Sequence, residues 1–252
     1  MSTYLTQALV LNIKPWREAD RLYTLYAEKV GKVQVVAAGA RKILSKLAPH
    51  LSLFAETEVM LAHGKLFDRL AGANLQINFL SKTQNPRSAC LAQVVLEVAN
   101  LILPESAPDE VTYQLLKNTL QTINQIEFVV DNTKWRVQAY RILLSFLHQI
   151  LKQAGLGLVV GHCEVCRNQL VQPFSFVWGQ HGFVHNKCLL AGIKYVSVSE
   201  GLGNWFLSGQ AADVLPDTTI SAALSFMLDY LSGHVGRELK SVKVLKSLMK
   251  EN

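Results

Sequence analysis

The sequence predicts a multi-domain chain of mixed α and β architecture, with a small N-terminal β-barrel followed by a helical domain that carries a compact insert. Three observations carry this. Short alternating segments bounded by turn residues fill about the first 75 positions, with no helix-length periodic stretch among them. The apolar spacing then changes to three and four residues for most of the remainder. Inside that remainder one stretch, Gly161–Cys188, has little helical character and holds three of the four cysteines.

The β region opens on Ala8, Val10 and Ile13. A polar loop, Lys14–Asp20, leads to a strand over Leu22–Ala27, a turn around Glu28–Gly31 and a strand over Val33–Ala38. Thr57–Ala62 and Leu66–Ala71 flank His63-Gly64-Lys65, a hairpin signal in which glycine supplies an unusual backbone angle. Five short strands in so little chain point to a closed barrel, with the OB-fold as the leading candidate. Asn85-Pro86 reads as an N-cap with proline at the first helical position, and Pro104 ends that helix. Pro108-Asp109 starts a second helix, which ends near Gln125. Asn132-Thr133 starts a third, with Tyr140, Leu143, Leu144, Leu147, Ile150 and Leu151 on one face and Gly155 as its C-cap. Further helices are expected around Glu200–Leu207, Thr218–Leu231 and Gly236–Met249. The expected domains are 1–80 (barrel), 81–158 (first helical part), 159–195 (insert) and 196–252 (second helical part).

With 252 residues, half of them apolar, the chain has enough material for two or three cores. Its formal charge of +6 is mildly basic and compatible with nucleic-acid binding. No basic region precedes the first apolar stretch, which argues against a secretory signal. The apolar run Leu91–Leu103 is broken by Gln93, Glu97 and Asn100, so no membrane span and a cytoplasmic location are expected. In a reducing compartment paired cysteines point to metal, whereas Cys90, in a helical apolar pattern, reads as a small core residue.

The insert reads GHCEVCRNQLVQPFSFVWGQHGFVHNKC. Cys163 and Cys166 form one close pair, His185 and Cys188 another, and 18 residues separate the pairs. Two such pairs on tight turns can converge on one tetrahedral ion, and three thiolates with one imidazole suit Zn²⁺. Four protein ligands close the shell and leave no bound water to activate, so the site is expected to be structural. His162 and His181 are rival nitrogen ligands; His185 ranks first because it completes a pair. The strand-like pieces Phe174–Trp178 and Phe183–Val184 and the turn residues Gly179 and Gly182 suggest a ribbon or knuckle. The alternative is three buried thiols and an incidental histidine.

Ten Lys/Arg stand against six Asp/Glu in the β region. Arg41, Lys42 and Lys46 share one loop, Gly39–Pro49, that contains no acidic residue. Such a loop neutralises phosphates and gives salt-sensitive, largely sequence-independent affinity, or is simply solvated. Trp16, Tyr23 and Tyr26 are candidate base-stacking residues, or core aromatics. The basic stretch Arg237, Lys240, Lys243, Lys246 and Lys250 reads as the solvated face of a terminal helix whose other face holds Val242, Leu245 and Leu248. No phosphate-binding loop, dinucleotide glycine fingerprint or nucleophile elbow is present, the deaminase zinc signature is absent, and His63 and His148 are isolated. No enzyme is expected.

The run Glu18–Ser45, EADRLYTLYAEKVGKVQVVAAGARKILS, resembles the RecO family pattern of acidic residue, strand, Gly-Lys turn, strand and Gly-Ala-Arg-Lys. Leu51–Phe54, Arg141–Gly155, the cysteine pairs and Tyr230–Lys246 are similar to further stretches of that family. The resemblance covers most of the chain and is weakest over residues 104–132. It implies an OB-fold, a helical domain and a zinc insert. It further implies a recombination mediator in DNA repair that binds single- and double-stranded DNA, anneals complementary strands and works with RecR and the single-strand DNA-binding protein to load RecA. That would place the protein in the cytoplasm, associated with the nucleoid. By this resemblance Arg41, Lys42 and Lys46 become expected DNA contacts, with Arg17, Arg21 and Lys32 behind them. His185 stands where many relatives have cysteine, and Arg167 where glycine often follows the first pair. Two other readings compete: a zinc-ribbon scaffold or regulator that binds protein or RNA, and a zinc hydrolase.

Overall fold

The computed structural model describes residues 2–80, 85–126, 132–180, 182–208 and 215–250. Two compact units divide the chain: residues 1–135 with 238–252, and residues 136–237.

The first unit begins with five strands: β1 (Thr3–Trp16), β2 (Asp20–Ala27), β3 (Gly31–Ala37), β4 (Ala55–Ala62) and β5 (Asp68–Asn78). They pair in the ring order β1-β2-β3-β5-β4, and β4 returns to β1. The ring is thinnest at β3–β5, a parallel step joined at Val35–Asp68 and Val36–Arg69. The domain is β-rich and OB-like, and its core is alternate-residue packing of Ala8, Val10, Tyr23, Leu25, Val35, Val59 and Leu61. Two strands run further than the sequence pattern suggests. β1 continues through Lys14-Pro15-Trp16, so the expected loop shrinks to Arg17–Ala19. Pro15 is tolerated because it lies near the end of the strand, opposite Arg21. β5 extends to Asn78, held by β4 although its outer positions are polar.

Leu9 and Leu11 of β1 are as buried as Ala8 and Val10, because a helix covers the other face. That helix is α1 (Pro86–Ile102), capped by Asn85, whose side chain accepts from the Arg87 N–H. α2 (Glu110–Gln125) is capped by Asp109 in the same way, through the Thr112 N–H. Glu56 of β4 is nearly buried and accepts from Tyr113 Oη at 2.9 Å and Lys117 Nζ at 2.8 Å, which ties α2 to the sheet. The α1–α2 connection lies over one end of β3. Ser106 N–H donates to the Lys32 carbonyl. Gly31, at φ +74°, approaches so closely that a Cβ would sit 2.5 Å from the Ala107 carbonyl carbon. α6 (Lys240–Lys250) packs on α1 with Leu239, Val242 and Leu245 buried and Lys240 and Lys243 exposed. Glu97 of α1 caps it, accepting from the Ser241 N–H at 2.8 Å. The side chains of Lys246, Leu248 and Lys250 are outside what the structure describes.

The second unit takes in most of α3 (Asn132–Gln153), whose C-terminus closes on Gly155 in the left-handed region. α4 (Glu200–Ser208) and α5 (Asp217–Val235) follow. Gly236, at φ +71°, caps α5 and does not begin the last helix as the sequence pattern had it. Between α3 and α4 lies a three-stranded sheet in the order β7-β6-β8, built from β6 (Phe174–Val177), β7 (Gly182–His185) and β8 (Tyr195–Ser197). Its inner face is aromatic: Phe176 meets Phe183, Phe226 and Tyr230 at centroid separations of 5.3–5.6 Å. No helix among the described residues is long and apolar enough to cross a membrane.

Candidate metal centre and nucleic-acid interface

The insert folds as two tight turns brought side by side. The first is the Cys163–Asn168 knuckle, in which Arg167 N–H donates to the Cys163 carbonyl and Cys163 N–H to the Asn168 carbonyl, both at 2.9 Å. The second is the end of β7 and the short 3-10 turn Asn186–Cys188. Glu164 N–H donates to the Phe183 carbonyl and links the first turn to β7. Together they place one donor atom each from Cys163, Cys166, His185 and Cys188 within 4.8 Å of one another.

These donors fit a metal ion. A tetrahedral ion held at about 2.3 Å by sulfur and about 2.0 Å by nitrogen sets sulfur–nitrogen edges of about 3.5 Å. Cys166 Sγ and His185 Nδ1 are 3.5 Å apart. Cys163 and His185 are buried and the other two cysteines half-buried, so an ion here would be shielded. Burial raises the Cys163 thiol, but backbone N–H groups of Cys166, His185 and Val165 converge on it and bring its pKa down to about 6. Cys188 is pushed up by burial and by the neighbouring Cys166 and Cys163 sulfurs. A cation between the sulfurs relieves that mutual repulsion, which is why binding and deprotonation run together. One contact runs the other way: the Val171 N–H donates to His185 Nε2 at 3.1 Å. A metal on Nδ1 moves the ring proton to Nε2, so this amide is what binding would rearrange. His162 is exposed and outside the cluster; His181 lies outside the described residues.

Arg167 adopts φ +59°, so the turn after the first pair keeps the left-handed geometry that glycine favours. A non-glycine residue in that region costs on the order of 1 kcal/mol or more. Its ion pair to Glu164 is on an exposed side chain and contributes little. Arg167→Gly is therefore expected to stabilise the second unit by roughly 0.5–1 kcal/mol, after the entropy gained by the unfolded chain is discounted. Thermal melting checks this; a fall of more than ~1 kcal/mol would mean that the Glu164 pair holds the knuckle.

The basic loop after β3 is rooted at both ends. Ala40 and Leu51 are in the barrel core. Arg41 N–H donates to the Ala19 carbonyl, and Gly39 N–H to Asp20 Oδ1 at 2.8 Å. Arg41 Nη1 reaches the Arg17 carbonyl at 3.1 Å, so the loop abuts the β1–β2 turn. Arg17, Arg41, Lys42 and Lys46 are all exposed, and none has a salt bridge among the described residues. The other expected contacts fare differently. Arg21 is half-buried and, by alternation, shares the inner face of β2 with Tyr23 and Leu25. Lys32 is buried: its Nζ donates to the Asn100 carbonyl at 3.2 Å, and burial lowers its pKa. Its ammonium is spent inside the fold, on the Asn100 carbonyl.

Of the candidate stacking residues, Tyr23 is in the barrel core and Tyr26 is covered, its hydroxyl 3.5 Å from the Asp109 carbonyl. Trp16 alone is partly exposed, edge-on to Phe67 at 5.2 Å. That contact brings the β4–β5 loop, with exposed Lys65 and Leu66, beside the β1–β2 turn. In the sequence HGKLF the signal for this loop is a charge, Lys65, near Phe67, within what otherwise reads as a plain hairpin.

Two family profiles cover the chain: the one described as Recombination protein O N terminal matches residues 1–79, and Recombination protein O C terminal matches residues 84–243. The DNA repair protein RecO of Geobacter metallireducens (strain ATCC 53774 / DSM 7210 / GS-15) is 26% identical over 253 residues, 98% of this chain and 99% of that one. The protein of the same name from Desulforamulus reducens (strain ATCC BAA-1160 / DSM 100696 / MI-1) is 25% identical over 261 residues, 100% of this chain and 97% of its own. That of Dehalococcoides mccartyi (strain ATCC BAA-2266 / KCTC 15142 / 195) is 29% identical over 177 residues, 70% of this chain and 66% of that relative. With both profiles matching in order along nearly the whole length, the chain belongs to the RecO family of DNA repair and recombination proteins.

Proposed function

We propose that this chain is a recombination mediator: it binds single- and double-stranded DNA, anneals complementary strands and, with RecR and the single-strand DNA-binding protein, helps load RecA. It works in the cytoplasm, on the nucleoid. The observation that carries the reading is the basic loop, acid-free in sequence, exposed and pinned beside the β1–β2 turn of an OB-like domain. In OB-folds that edge and the neighbouring β4–β5 loop hold single strands. Arg41, Lys42, Lys46 and Arg17 form the phosphate-binding face, with Arg21 at its rim; Lys32 is left out for the reason given above.

Along the sequence we take 1–80 as the OB-fold region, 81–158 and 196–252 as the helical regions and 159–195 as the zinc insert; in space α1, α2 and α6 fall in the same compact unit as the OB-like strands. Cys163, Cys166, His185 and Cys188 would hold Zn²⁺ between the two turns of the insert; with four protein donors it would serve as a structural cross-link and supply no reaction step. Mediation of this kind needs no catalytic residue: neutralising phosphates on two strands lowers their repulsion and lets pairing proceed.

Strand annealing tests the reading. Complementary labelled oligonucleotides coated with single-strand binding protein are expected to pair markedly faster with the protein than without it. The acceleration should fall at least several-fold in the variant carrying Arg41→Ala, Lys42→Ala and Lys46→Ala. Annealing at the uncatalysed rate by the wild type would remove the mediator reading and favour a zinc-ribbon scaffold.

A further inference from the structure

The tip of the basic loop is apolar. Ile43 is 102% exposed and Leu44 92%, the two highest values for large apolar side chains among the described residues, and they are neighbours. They are not exposed because the loop is loose. Lys42 N–H donates to the Gly39 carbonyl and Ser45 N–H to the Lys42 carbonyl, both at 3.0 Å. Ser45 Oγ in turn accepts from the Ala48 N–H at 3.3 Å. With Ala40 and Leu51 fixed in the core, these bonds form a turn that holds both side chains outward. Neither packs on the barrel, so the fold gives no reason for them.

We infer that Ile43 and Leu44 are an apolar wedge that enters between bases of the bound nucleic acid. The inference rests on the DNA-binding reading above and extends it from phosphates to bases. The occupant is set by charge: Arg41 and Lys42 precede the two residues, Lys46 follows, and no acid lies between Gly39 and Pro49. An apolar tip in a ring of cations matches a ligand whose rim is anionic and whose interior is flat and apolar, which is a nucleic-acid strand. Aliphatic side chains inserted at a base step unstack it, and the electrostatic contacts on either side hold the strand in place while they do. A mediator that must part and re-pair strands gains from such a contact. Bases held apart are bases free to find a complement.

The test uses the full chain and an oligonucleotide carrying 2-aminopurine, whose emission rises when it is unstacked. The variant Ile43→Ser/Leu44→Ser should melt as the wild type does, because both side chains are already in water. Wild type is expected to raise the emission on binding. The variant should lose most of that rise and bind about tenfold more weakly, with an unchanged slope of log affinity against log salt, since no charge is removed. Wild-type emission and affinity in a variant that still binds DNA would overturn the wedge alone. No DNA binding by the wild type would overturn the wedge together with the reading it rests on. Loss of binding to anionic phospholipid vesicles, with DNA signals intact, would assign the tip to a membrane surface and overturn it as well.

Discussion

Replacing Cys163 with serine is expected to reduce bound metal from about one ion per chain to near none and to lower the stability of the second unit by about 3–5 kcal/mol. Serine keeps the size of the side chain but offers no thiolate at neutral pH, so the tetrahedral set falls to three. Cys163 is the fully buried member of the cluster, and the His185 N–H lies 3.4 Å from its sulfur. Both turns therefore lose their common anchor. In isolated zinc fingers metal binding supplies about 10–16 kcal/mol and unfolds them when removed. Here the loss should be smaller because Phe174, Phe176 and Phe183 form a packed layer beneath the turns. Hydrogen exchange should quicken over residues 161–189, while β1–β5 keep their protection. Treating the wild type with a chelator should reproduce the effect. Purified wild type without stoichiometric metal, melting as Cys163→Ser does, would leave the cluster as ordinary buried thiols.

Glu56→Ala is expected to cost about 3–5 kcal/mol in the first unit, as removal of one partner from a buried ion pair does. Glu56 is 4% exposed and Tyr113 1%. Burial and the Glu56 carboxylate raise the Tyr113 phenol, which stays protonated and donates. Alanine would leave that hydroxyl without an acceptor and the partly buried Lys117 ammonium without its counter-charge. Glu56→Gln keeps an acceptor and removes the charge, so its cost should be about 1–2 kcal/mol. Urea unfolding separates the two. Equal losses in both variants would mean that packing, not the shared carboxylate, joins β4 to α2.

Much of this architecture is legible in the sequence, and the failures have physical causes. The Cys163–Cys166 and His185–Cys188 spacings announce the cluster because short-range turns bring such pairs together whatever the rest of the chain does. The caps at Asn85 and Asp109 are local in the same way. Local pattern puts Lys32 on the surface and leaves Tyr26 open between a stacking and a core role, because the burial of both is not local. They face each other across β2 and β3, and their partners, Asn100 at the end of α1 and Asp109 at the start of α2, arrive 68 and 83 residues later. β8 is not legible in the sequence because its three residues are all exposed and carry no alternation. The exposure of Ile43 and Leu44 is not legible either: an apolar pair in sequence says nothing of whether the fold covers it.

The measurement that bears most directly on the whole account is fluorescence-anisotropy binding of labelled single-stranded DNA across a salt series. Wild type is compared with the Arg41→Ala/Lys42→Ala/Lys46→Ala variant. Wild-type affinity is expected to fall steeply with salt. The variant should bind more weakly, with a log–log slope shallower by about 2, near 0.7 for each phosphate contact removed. No binding by wild type at low salt, or a variant with the wild-type slope, would contradict it.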